Sequence, residues 1–148
     1  MPVGDAGASA LAVALGRGAL PRLKTLVLGY AAIGDAGLVA LAPALRRRSA
    51  LQSLYLFDNP FGDEGLAALV APPPADAPPP PAGVLTMLKF LYLSNTQITD
   101  AGCAALAAAL NSGALPALQT LLLKGTTASF AAKASVFREM RAGVTVYY

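Results

Sequence analysis

The sequence predicts an α/β solenoid, with a parallel sheet on one side and a row of helices on the other. Three observations carry this. A phrase starts afresh at Leu23, Leu51, Leu88 and Leu118, at intervals of about 30 residues with one stretched to about 37. Each copy opens with three regularly spaced leucines: Leu23, Leu26 and Leu28; Leu51, Leu54 and Leu56; Leu88, Leu91 and Leu93; Leu118, Leu121 and Leu123. The first three copies then pass through a Gly-Asp or Thr-Asp turn into an alanine-rich segment of helical spacing. The last two leucines of each set share one face of a strand. One strand cannot bury that face alone, so neighbouring copies must stack, with a helix returning the chain each time.

Taken in chain order, residues 1–148 read as one domain that begins with a partial repeat at 1–19. Val3-Gly4-Asp5-Ala6-Gly7 matches Ile33-Gly34-Asp35-Ala36-Gly37. The chain therefore starts in mid-repeat, and Ala10 to Leu15 is the first expected helix. Nothing polar covers the first strand, Leu23 to Leu28, so this edge calls for further repeats or a capping partner.

Asp35, Asp63 and Asp100 each precede an apolar-periodic segment and read as N-caps of their own helices. Leu38, Leu41 and Leu45, then Leu66 and Leu69, then Cys103, Leu106 and Leu110 keep helical spacing. A glycine follows two residues after each aspartate: Gly37, Gly65 and Gly102. Glycine is costly inside a helix, so its recurrence points to close approach of one helix to the next.

The longest interval hides a Pro-rich insertion at 71–84, APPPADAPPPPAGV. Proline blocks helix continuation, and the segment reads as a surface loop; the sharper alternative is a polyproline ligand. Arg46-Arg47-Arg48 reads as a solvated helix end. Ser129 can cap a last helix running through Arg141, with Gly143 ending it. Val144 to Tyr148 alternates as a final edge strand.

Composition narrows the function. The chain is 55% hydrophobic and 13% charged, against roughly 25% charged in a typical soluble domain. The longest uncharged stretch, Ala101 to Leu123, is broken by Asn111-Ser112-Gly113 and Pro116, which a membrane span tolerates poorly. Net charge +3 is ordinary for a soluble domain, and Lys24, Lys89 and Lys124 make no continuous stripe, so no nucleic-acid partner is expected. Cys103 is the only cysteine, which excludes an intrachain disulfide framework and a thiolate metal cluster. The cytoplasm, a reducing compartment, fits this best. The chain has no histidine, the commonest general base and metal ligand. The recurrent aspartates occupy equivalent positions and so read as caps instead of a catalytic pair. No enzyme activity, cofactor or metal is expected.

The repeats resemble the leucine-rich repeat, and specifically its ribonuclease-inhibitor-like subclass, whose long units carry a full helix. That resemblance implies a short horseshoe arc with the sheet concave and the helices convex. It also implies an Asn, Cys or Thr eight residues after the first leucine, tying down the turn. Here those positions hold Ala31, Asn59, Thr96 and Thr126. Ala31 cannot make that bond, so a looser first turn is expected.

Residues alternating with the inward leucines should face the concave side. Tyr55 and Tyr92 should be neighbours across adjacent strands, about 4.8 Å apart. With Phe57 and Phe90 they form an expected aromatic patch, extended by Leu122 and Lys124. Such rings either contact a partner or simply cover the sheet. The scarcity of charge among them favours a protein partner. The leading reading is thus a protein–protein interaction module. Alternatives are a regulatory segment of a GTPase-activating or NOD-like-receptor-type protein, by analogy with the resemblance, and a purely structural fragment of a longer array.

Overall fold

The structure, a computed structural model, describes residues 4–18, 22–46, 50–70, 87–111, 115–138 and 145–147. Helices and strands alternate: α1 (Gly4–Gly16), β1 (Thr25–Val27), α2 (Asp35–Arg46), β2 (Ser53–Tyr55), α3 (Asp63–Val70), β3 (Phe90–Tyr92), α4 (Asp100–Asn111), β4 (Thr120–Leu122), α5 (Phe130–Arg138) and β5 (Thr145–Tyr147). The strands form one five-stranded sheet in sequence order, every pairing parallel. Each helix packs on its neighbours in the same order. The result is an α/β solenoid.

Register follows the leucine spacing. Leu26, Leu54, Leu91, Leu121 and Val146 stand side by side across the sheet. Leu54, Leu91 and Leu121 are buried, as are Leu28, Leu56, Leu93 and Leu123. Behind them runs a second apolar row, Ile33, Phe61, Ile98 and Ala128, and then the inner helix faces, including Leu38, Leu41, Leu66, Leu69 and Leu106. Burying a leucine side chain stabilises by about 1.5–3 kcal/mol, and each row does this once per repeat. At the β1 edge, Leu23 and Leu26 are only partly buried and Val27 is 59% exposed.

Three expectations need correction. The first helix is longer than Ala10 to Leu15 and begins at Gly4. The first turn is not left loose. Asn59, from the next repeat, is buried there; its Oδ1 accepts from Ala31 N at 3.0 Å and Ile33 N at 3.1 Å. Its Nδ2 donates to the carbonyls of Leu28, Leu56 and Phe57. One side chain thus closes two turns. Thr96 and Thr126 close theirs by donating to Leu93 O and Leu123 O.

The third correction concerns the aspartates. The first helical carbonyls belong to Gly34, Gly62, Thr99 and Ser129, which accept from Leu38, Leu66, Cys103 and Lys133 N. Those four residues hold the N-cap position, and Asp35, Asp63 and Asp100 come one residue later. Their carboxylates cap the following repeat. Asp5 Oδ1 accepts from Gly34 N and Gly37 N, and Asp35 Oδ1 from Gly62 N and Gly65 N. Asp63 accepts from Thr99 N and Thr99 Oγ1, and Asp100 from Ser129 N and Ser129 Oγ. Gly34 and Gly62 have no side chain to cap with, so the preceding repeat supplies the oxygen. The expected close approach at the glycines has this cause. A Cβ on Gly37 would meet Asp5 Oδ1 at 2.5 Å, and one on Gly65 would meet Asp35 Oδ1 at 3.0 Å.

Ser129 does cap its own helix, accepting from Ala132 N at 3.2 Å. The expected extension of that helix to Arg141, its Gly143 stop, Arg47 and Arg48, and the insertion at 71–84 lie outside the described residues.

Candidate functional site

The open face of the sheet is built from the residues that alternate with the inward leucines. One row across it is Val27, Tyr55, Tyr92 and Leu122. The row before it is Thr25, Ser53, Phe90, Thr120 and Thr145. Three hydroxyl-bearing threonines and a serine therefore flank Phe90, and the aromatic row lies beside them.

The structure brings Tyr55 and Tyr92 together as the spacing requires. Their ring centroids are 4.5 Å apart at 51°, within the range where aromatic pairs attract. Leu122 stands in register beside Tyr92. Tyr55, Phe57, Phe90, Tyr92 and Leu122 are all half-buried, and Lys124 is exposed. Phe57 does not join a single central cluster. Its ring occupies the space above Gly29, where a Cβ would collide with it. Its partner is Tyr30, edge-on at 5.6 Å and 84°. The patch is thus two aromatic pairs, with Phe90 in register between Ser53 and Thr120.

Tyr30 is the residue that sequence reasoning missed. It is 73% exposed and has φ +56°. Equivalent positions in later repeats are Asp58 (φ 58°), Asn95 (φ 56°) and Gly125 (φ 80°). The turn demands a left-handed residue in every repeat. Asp, Asn and Gly accept that conformation readily, whereas a tyrosine is strained by about 1 kcal/mol or more. The signal was available: aligning the four turns leaves Tyr30 as the misfit. Its amide donates to Phe57 O at 3.3 Å, and its ring rests on Phe57, which holds it in place.

Arg46 Nη1 donates to Ala68 O at 3.0 Å, and burial lowers its pKa. Burial raises the pKa of the Cys103 thiol, partly offset by Lys133, which makes it a poor nucleophile. Among the described residues no cluster of His, Cys, Asp and Glu could hold a metal ion, and no helix is long and apolar enough to cross a membrane. What the sheet face offers is ring area, methyls and hydroxyls, which suits contact.

Comparison with known proteins gives likenesses of two kinds. A family model described as a leucine-rich repeat matches residues 20–42, 50–70 and 84–107. Among solved structures, the chain is similar to leiomodin-1 actin-binding site 2, with TM-score 0.72 and 14% identity, over 93% of this chain and 76% of that one. At that identity the likeness shows the fold. No curated protein matches the chain.

Proposed function

We propose, on the premise that this chain is a leucine-rich-repeat protein, that it is a protein-interaction module binding through the open, concave face of its sheet. The observation that carries this is the aromatic content of that face. Tyr55 and Tyr92 are paired at 4.5 Å, and Phe57 and Tyr30 at 5.6 Å. Tyrosine is enriched at binding hot spots because it brings large area and a polar tip with few rotatable bonds. A role limited to covering the sheet accounts less well for Tyr30, which is 73% exposed and backbone-strained. Strained residues persist where the surroundings hold them, and they concentrate at functional sites. The leiomodin-1 fragment is named for actin binding, which makes actin one partner to assay.

The test uses peptides selected from a random display library against the wild-type protein. Combined Tyr55→Ala and Tyr92→Ala substitution is expected to weaken them by at least about tenfold, since hot-spot truncation costs about 2 kcal/mol or more. Far-UV circular dichroism is expected to stay unchanged. Selected peptides that bind the double variant undiminished would remove the sheet-face reading.

A further inference from the structure

Among the described residues, most charges of this solenoid sort by edge. All the described carboxylates, Asp5, Asp35, Asp58, Asp63, Glu64 and Asp100, sit where strands lead into helices. At the opposite edge, where helices lead into strands, stand Arg17, Arg22, Lys24, Arg46, Lys89 and Arg138, with no described carboxylate among them. Lys124 and Lys133 are the described bases outside that edge.

Helix dipoles explain part of this. Arg46 and Arg138 occupy last helical turns and Arg17 follows one, where cations are favoured. They do not explain Arg22, Lys24 and Lys89, which stand at strand starts. Arg22 and Lys24 are exposed and Lys89 is half-buried. Lys24 and Lys89 immediately precede Thr25 and Phe90 of the sheet face. They flank Gln52: Gln52 N donates to Lys24 O, and Lys89 N to Gln52 O. Two strand spacings put them about 10 Å apart. The basic edge therefore adjoins the row of Thr25, Ser53 and Phe90, one row before Tyr55 and Tyr92.

We propose that this edge and the face it borders together dock an acidic protein segment, whose carboxylates meet Arg22, Lys24 and Lys89 while its apolar side chains lie against Tyr55 and Tyr92. This rests on the sheet-face reading and adds the chemical class of the partner. Charge complementarity selects an acidic segment because six of the eight described bases stand at one border of the sheet face, with no described carboxylate among them. A nucleic acid carries phosphates at every step and needs bases along the whole track. Here the two central rings are closed on each other at 4.5 Å instead of splayed for base stacking.

The test measures fluorescence anisotropy of a synthetic peptide with a Glu-rich half and a half containing Leu and Phe. The wild-type protein is expected to bind it and to lose about tenfold in affinity between about 50 and about 200 mM salt. Combined Lys24→Glu and Lys89→Glu substitution is expected to weaken it at least about tenfold and to gain binding of the matching Lys-rich peptide. Lys133→Glu, on α5 and outside the basic edge, is expected to change affinity by less than about twofold. No binding of the acidic peptide, equal binding of the Lys-rich peptide to wild type, or tighter binding of oligothymidylate would overturn the proposal. Weakening by Tyr55→Ala with Tyr92→Ala, but not by charge reversal, rejects the basic edge and leaves the sheet-face reading standing. The converse rejects the joint site and the sheet-face reading with it.

Discussion

The Asp35 carboxylate caps a helix that Asp35 does not belong to: its Oδ1 lies 2.8 Å from the amide nitrogen of Gly65, one repeat further along the chain. The same oxygen accepts from Gly62 N at 2.8 Å. Asp5, Asp63 and Asp100 repeat the contact with Gly37, Thr99 and Ser129. In a solenoid, cooperativity depends on the interfaces between repeats, and here each interface carries a charge-assisted bond that depends on the neighbour's helix being formed.

Gly102 gives a test of this link. Glycine to alanine in an open helix site stabilises by about 1 kcal/mol. Here a Cβ would collide with Asp63 Oδ1 and lie 2.8 Å from Ile98 Cγ2. Gly102→Ala is expected to destabilise by about 1–3 kcal/mol in urea unfolding. In an Asp63→Ala background the cost is expected to fall by about 1 kcal/mol. Strict additivity would mean that the two residues do not share the interface as described.

Asn59→Ala removes five hydrogen bonds at a buried position, three to carbonyls and two from the amides of Ala31 and Ile33. Unsatisfied buried groups cost about 1–3 kcal/mol each, and water entry recovers part of that. A loss on the order of 3 kcal/mol is expected. Amide hydrogen exchange is expected to accelerate first at Ala31 and Ile33, in the turn before α2.

Tyr30→Asn sets two comparable terms against each other. Relief of the left-handed backbone gains about 1 kcal/mol, and loss of the edge-on pair with Phe57 costs about 0.5–1.5 kcal/mol. The melting temperature is expected to change little. Affinity for peptides selected on the sheet face is expected to fall. A clear loss of stability with unchanged binding would make Tyr30 a packing residue only.

Cys103 is expected to be inert to a disulfide reagent in the native protein and to react promptly after unfolding, because it is buried and its thiol pKa is raised. The sign with pH follows. The folded state holds the proton above the ordinary value of 9.0, while the unfolded thiol releases it there. Its contribution is therefore fully present below about pH 9 and lost as pH rises through the folded pKa. Cys103→Ala is expected to flatten that alkaline decline.

Much of this was legible in the residues. Leu54, Leu91 and Leu121 fix the register because side chains alternate with period two, so a one-residue slip would turn every leucine outward. That same register places Tyr55 beside Tyr92. The turns were harder to read. Asn59 serves the turn containing Ala31 as well as its own, a contact between repeats that no single-repeat pattern displays.

The solenoid, its register and its outward rows can be read from the residues alone, because leucine period and helical period are local properties of each repeat. Stacking of the repeats settles whose helix each aspartate caps, which neighbour closes the first turn, how Phe57 turns over Gly29 towards Tyr30, and how the described charges distribute between the two edges. Those relations exist between repeats. They depend on the distance at which one unit stacks on the next, which packing sets.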